Sequence, residues 1–248
     1  MDELLLLSGN DILMAEAGIY IRQPRLKDIA YLGEERFYMG CELLNFSKDI
    51  LQEKDKSILG DKTNFEIIMS IMSENDIKDF EGKENIFQIF LLLFPDYKYT
   101  MTSNKIIFQK NEEIVGEINN DNFANFLDIF NTILCLKGSD KEESLDYDPA
   151  NETAARIAAK LKRGRQKAMM EKNGGSRPKI NILSKYVSIL SVGEHKSMES
   201  LLNYTIYQIK DEYERFLLKE NFEHIFKARL AGAKDLEDGK YWMDDIHE

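Results

Sequence analysis

Apolar positions change their spacing along this chain, and each change predicts an element. Between residues 11 and 22 they form two short β-like pieces, Asp11 to Met14 and Ile19 to Arg22, parted by Gly18 and stopped by Pro24. That pattern predicts a small hairpin. From Leu26 to Leu44 the residues Leu26, Ile29, Leu32, Phe37, Met39 and Leu43 keep approximate helical spacing despite Gly33 and Gly40, so one helix is expected there. Residues 47 to 62 are polar with a Gly60-Asp61 turn signal, and Ile67, Ile68, Ile71 and Met72 then place a helix over Asn64 to Met72. A buried helix follows over Glu84 to Phe94, ending at Pro95. Tyr97 to Met101, Lys105 to Gln109 and Ile114 to Ile118 predict three short strands in a meander, parted by Thr102-Ser-Asn104 and by Asn111 with its following acids. Asp121 is the expected cap of a helix whose Phe123, Phe126, Leu127, Phe130, Ile133 and Leu134 line one apolar face as far as Gly138.

Past an acidic, polar stretch over residues 139 to 148, the pattern becomes wholly helical. Asp148-Pro149 suits a helix start, and that helix is expected to run to Asn173-Gly-Gly175. Residues 180 to 192 are apolar enough for either a buried helix or a strand. Ser197 to Gly232 is the longest helical stretch, with Leu202, Ile206, Ile209, Tyr213 and Phe216 in register, and a break near Asn221 would make it an antiparallel pair or a kinked helix. The predicted class is therefore mainly α (α+β): an N-terminal helical domain with a β-hairpin and a meander over residues 1–148, and an all-helical domain over residues 149–248.

Charge sharpens that division. The 248 residues carry a net charge of −11, yet residues 1–148 hold 15 Lys+Arg against 29 Asp+Glu, while residues 149–248 hold 18 against 15. The two parts are expected to do different jobs. With 43% apolar and 31% charged residues, and only 14 Gly and 4 Pro, the composition excludes collagen-like and low-complexity chains. The acidic start with four leucines lacks the basic, longer apolar form of a secretory signal. Ile86 to Phe94 falls short of the ~20 apolar residues that span a bilayer, so no membrane contact is expected. Cys41 and Cys135 lie far apart with no CxxC or Cys/His cluster, which indicates neither a disulfide framework nor a zinc module and suits a reducing cytoplasm.

Candidate chemistry is concentrated in one basic segment. Between Arg156 and Lys179 nine bases face a single acid, Glu171. Arg156, Lys160, Arg163 and Lys167 form one stripe at spacings of four, three and four, beside a small-residue stripe of Ala154, Ile157, Leu161, Gly164 and Ala168. Three readings stand together: contact with nucleic-acid phosphates, attraction of an acidic partner or of another copy's acidic part, and a solvated helix face. No aromatic lies between Tyr147 and Tyr186, so the stacking platform of a single-strand binder is missing from this segment. His195, His224 and His247 sit in unrelated contexts without HExxH or a triad signature, and the many acids form no interpretable pair. Gly174-Gly-Ser176 lacks the phosphate-loop pattern and reads as a helix end with a linker. No catalytic, cofactor or metal residue is expected. Trp242, the only tryptophan, stands with Tyr241, Met243 and Ile246 in an acidic end that reads as a docking tail, its indole either anchoring a partner or packing back on its own helices.

Two segments carry a resemblance. Ser8-Gly-Asn-Asp-Ile-Leu13, Ile19-Tyr-Ile-Arg-Gln-Pro24 and Leu26-Lys-Asp-Ile-Ala-Tyr-Leu-Gly-Glu-Glu-Arg-Phe37 form the first, and Ala228-Arg-Leu-Ala-Gly-Ala-Lys-Asp-Leu-Glu-Asp238 with Tyr241-Trp-Met-Asp-Asp-Ile246 forms the second. Together they resemble tail assembly chaperone-type morphogenesis proteins of tailed phages and prophages of Gram-positive bacteria. The resemblance implies a non-enzymatic protein of the host cytoplasm that binds the tape measure and tail-tube proteins, without a cofactor, and with homo-oligomerisation open. Such proteins often occur in short and frameshifted extended forms, with which the composition change near residue 148 is compatible. The basic helix keeps two alternatives beside it: a nucleic-acid-binding protein and a structural component of the phage particle.

Overall fold

The computed structural model describes residues 1–46, 61–73, 81–102, 104–136, 181–233 and 241–243. It is mainly helical with two small antiparallel sheets, the expected class. The chain opens with helix α1 (Glu3–Ser8), which the four leucines did not announce. Asp2 starts it by accepting the Leu4 N–H at 2.8 Å, and Gly9 ends it in the left-handed region at φ 69°. Strands β1 (Ile12–Met14) and β2 (Ile19–Ile21) form the expected hairpin, with Leu13 opposite Tyr20. Alternation sends Ile12, Met14, Ile19 and Ile21 inward and leaves Leu13 and Tyr20 exposed.

The single helix expected over Leu26 to Leu44 is two helices, α2 (Leu26–Leu32) and α3 (Glu34–Leu44). Gly33 adopts φ 91° between them, a conformation only glycine takes without strain, and this separates the two apolar faces. α4 (Asn64–Ser73) and α5 (Glu81–Leu93) agree with expectation. At Gly40 a Cβ would lie 2.7 Å from the Ile89 side chain and 2.9 Å from the Asn85 carbonyl, so the missing side chain is what lets α3 and α5 cross closely.

The meander also forms, as β3 (Lys98–Met101), β4 (Lys105–Lys110) and β5 (Glu113–Asn119) in the order β3-β4-β5. Asn111 and Glu112 both take positive φ, the geometry of a two-residue hairpin turn that follows strand twist. Helix α6 (Phe123–Ile133) departs from expectation at both ends: Asn122, not Asp121, is its N-cap residue, and it ends at Ile133 with Leu134 as C-cap, well before Gly138. Asn122 is fixed there because its side chain accepts the Asn119 N–H at 2.9 Å and donates to the Glu117 carbonyl at 2.9 Å, which joins the helix start to β5.

α5, α6 and the meander enclose an aromatic core. Phe94 lies 4.6 Å from Phe108 between ring centroids, and Phe126 sits 5.9 Å from Phe90 and 5.8 Å from Phe130. Phe37, Phe65, Phe90, Phe94, Phe108, Phe126 and Phe130 are all fully buried, and each removes a large apolar surface from water.

In the C-terminal part, the described residues of the 180–192 stretch resolve in favour of helix: α7 (Ile182–Gly193) is followed by α8 (Met198–Leu202) and α9 (Ile206–Leu230). The stretch is interrupted at Asn203 to Thr205 and not near Asn221. Thr205 and Gln208 form a reciprocal capping box that starts α9 afresh, while Asn221 is exposed and α9 passes through it unbroken.

Residues Met1–Cys135 and Ile182–Glu248 form one compact unit, and Leu136–Asn181 forms another. The boundary expected at residue 148 lies outside the described residues. Within the first unit the chain ends are tied together: the Leu26 N–H donates to the Tyr204 carbonyl at 2.9 Å, Gln208 Nε2 to the Leu7 carbonyl at 2.7 Å, and Lys27 Nζ to Asn203 Oδ1 at 2.9 Å.

Candidate partner-binding surface

Helix α9 changes sides along its length. At 3.6 residues per turn, Ile206, Ile209 and Tyr213 share one face, and they are its buried residues. Continued past Leu217, that face becomes Glu220, Glu223, His224 and Lys227, which are polar. The apolar residues of the distal half, Leu218, Phe222, Ile225 and Phe226, fall on the opposite side. The first half is held by the body through the stacked Tyr186–Tyr213 rings, 4.2 Å between centroids, and through Lys196. Burial works against the charge of Lys196, yet hydrogen bonds to Glu212 and Tyr204 keep its ammonium above the ordinary lysine value.

The distal half carries an apolar stripe facing away from that anchorage. Phe226 and Leu230 remain 55% and 73% exposed. Phe222 is half-buried because the Tyr241 ring meets it edge-on at 5.2 Å between centroids. Next to it the Trp242 carbonyl accepts from Arg215 Nη1 at 3.4 Å, and the Trp242 ring lies 6.2 Å from that of Tyr241. Trp242 is thus tethered to α9 through its backbone carbonyl and the neighbouring Tyr241 ring.

Charges around the stripe are mostly engaged. Lys219 pairs with Glu194 at 3.1 Å, which holds its ammonium above the usual lysine value, and Lys227 pairs with Glu223 at 3.0 Å, which holds that carboxyl below the usual range. Lys227 and Arg229 bring positive charge to the last turn, where the helix dipole favours it.

A concave feature lies elsewhere, where α2, α3 and α5 meet. It has a volume of about 260 Å³ and is lined by Tyr31, Arg36, Glu84, Asn85 and Gln88 among others. Tyr31 is 93% exposed at its mouth. Asn85 is buried, and its Nδ2 has no protein acceptor.

Arg156, Lys160, Arg163 and Lys167 lie outside the described residues, as does His247. His195 takes φ 56° at the end of α7, and exposed His224 approaches Glu220 at 4.0 Å. The two cysteines are free thiols, and burial pushes both up, Cys135 to about 11. Such thiols are weak nucleophiles near neutral pH. Among the described residues no cluster of His, Cys, Asp and Glu could hold a metal ion, and no helix is long and apolar enough to cross a membrane. Phe222 and Phe226 were missed as surface residues from the sequence. Their signal was present in the Leu218, Phe222, Phe226 spacing, which departs from the Ile206–Phe216 register.

Residues 175–247 match the model of a family described as the YomV second domain, a phage-type protein family. The matched segment includes α7 to α9 and the aromatic residues seated on α9, and spans less than a third of the chain. No curated protein and no solved structure matches the chain.

Proposed function

We propose that this protein is a non-enzymatic phage morphogenesis factor of the tail assembly chaperone type, which works in the host cytoplasm by binding tape measure or tail-tube proteins. The observation that carries this reading is the apolar stripe of distal α9, turned away from the helix's own anchorage and lying inside the segment similar to a phage-type family. A helix face of this kind receives an amphipathic segment through residues spaced three and four apart, while charges on its rim set orientation and specificity. Holding such a segment keeps it from aggregating before assembly and requires no covalent chemistry.

The sequence charge supports a second reading, in which the basic stripe of Arg156, Lys160, Arg163 and Lys167 contacts nucleic-acid phosphates. One preparation separates the two. The chain is expressed with its neighbouring genes and purified by affinity, and the retained material is analysed by mass spectrometry and by its 260/280 nm absorbance ratio. The expected result is a tail protein retained without nucleic acid. Nucleic acid retained alone, with steep salt dependence that disappears on replacing those four bases by Gln, would establish the second reading. Recovery of the protein as a stoichiometric part of finished particles, with no affinity for tail proteins, would refute the chaperone reading.

A further inference from the structure

We propose that the distal half of α9 is a seat for an aromatic segment flanked by acids, occupied in the free chain by its own Tyr241–Trp242 pair and surrendered to a partner protein's segment of the same chemistry. The identity of that partner rests on the function proposed above, whereas the seat rests on geometry alone. Two contacts define it: Phe222 receives the edge of the Tyr241 ring at 5.2 Å, and Arg215 donates to the following residue's backbone carbonyl at 3.4 Å. A carbonyl carries no side-chain identity, so any extended segment with an aromatic residue in the Tyr241 position can use both contacts.

The native occupant fills the seat incompletely. Tyr241 and Met243 stay exposed, Trp242 is half-exposed, and Phe226 and Leu230 continue the apolar stripe uncovered. A longer segment running along the stripe would bury surface that the native pair leaves in water, and this difference favours exchange. Charge selects the kind of segment. Arg215, Lys219, Lys227 and Arg229 stand on this half with Glu220 and Glu223, and three of the bases sit beside acids of this chain, Arg215 with Asp211, Lys219 with Glu194 and Lys227 with Glu223, while the native pair stands in Glu237-Asp-Gly-Lys-Tyr-Trp-Met-Asp-Asp245, where four acids accompany one base. Acids beside the aromatic residue would therefore exchange with these half-exposed pairs for the same bases, as the native segment's own acids are placed in sequence to do.

Trp242 is the only tryptophan, so its fluorescence reports on the seat in the full-length chain. Phe222→Ala in that chain is expected to shift the emission to the red, with far-UV circular dichroism unchanged. The binding test uses a fluorescein-labelled peptide of residues 234–248. A full-length chain carrying Tyr241→Ser and Trp242→Ser, its seat vacated, is expected to bind the peptide at least ten-fold more tightly than the parent chain. Adding Phe222→Ala to that variant should abolish the gain, and raised salt should weaken binding. Equal affinity for parent and vacated chains, or no binding to either at millimolar peptide with helicity intact, overturns the proposal. A parent dimer by analytical ultracentrifugation that becomes monomeric on vacating the seat would assign the seat to a second copy and overturn the partner assignment. Co-purification without any tail protein would refute the proposed function and leave the peptide result standing.

Discussion

Replacing Glu34 by alanine should destabilise the fold through a helix 149 residues away in sequence. The Glu34 carboxylate accepts the Leu183 N–H at 2.7 Å, the Ser184 N–H at 3.3 Å and the Ser184 hydroxyl at 2.9 Å, all at the first turn of α7. It therefore acts as a capping residue supplied from another part of the chain, with its charge at the positive end of the helix dipole. A side-chain cap contributes about 0.5–2 kcal/mol, and a carboxylate at a helix N-terminus adds about 0.3–1 kcal/mol. Because the site is partly exposed, water takes over some of the freed donors, so a net loss of about 1.5–2 kcal/mol is expected. At about 2–4 °C per kcal/mol for a protein of this size, the melting temperature should fall by about 3–8 °C. Glu34→Gln retains an acceptor and loses the charge, so its loss should be intermediate. Urea unfolding followed by far-UV circular dichroism measures both variants. A loss below about 0.5 kcal/mol for Glu34→Ala, at unchanged m-value, would refute the assignment of Glu34 as the cap of α7.

Three further outcomes are expected. Gly116→Ala places a Cβ 1.8 Å from the Ala17 carbonyl oxygen, where β5 meets the turn of the β1–β2 hairpin; overpacking of this kind costs about 1–3 kcal/mol, and an unchanged thermal melt would contradict the close approach. Phe126→Ala should lose about 3–5 kcal/mol because it opens the centre of the aromatic core, whereas Tyr31→Ser, at a residue 93% exposed, should stay within about 0.5 kcal/mol in the same urea titration. The free thiols should react slowly with a disulfide reagent: with the Cys135 thiol pushed up to about 11, about one molecule in a thousand is thiolate at pH 8, against about one in four for an ordinary thiol. Since a raised pKa removes thiolate below it, the native rate should climb about tenfold per pH unit as pH rises toward 11. A native rate constant at pH 8 within tenfold of that of the unfolded chain would refute the burial of both thiols.

The sequence by itself determined what a few neighbouring residues encode. The alternation of Ile12, Met14, Ile19 and Ile21 specified the hairpin, the Phe123–Phe130 spacing specified α6, and the spacing of Ile67 to Met72 specified α4. Periodicity of this kind is a local property, since it states which side of an element must leave water. The charge division and the stripe of Arg156, Lys160, Arg163 and Lys167 are legible only at this level, because those residues lie outside the described part. Tertiary structure decided what local pattern leaves degenerate. Gly33 could have been carried inside one helix or could have ended one, and the positive φ it adopts divides α2 from α3. Asp121 was the cap that local pattern offered, and the helix instead starts after Asn122, whose side chain bonds to the Asn119–Glu117 end of β5 and not to the helix. The Thr205–Gln208 box begins α9 where Gln208 also reaches the Leu7 carbonyl, a partner on the far side of the sequence. The capping of α7 by Glu34 and the seating of Tyr241 on Phe222 leave no local signature at all. Each joins surfaces remote in the chain, and which remote surfaces meet depends on the packing that buries the most apolar area while leaving the fewest polar groups without partners.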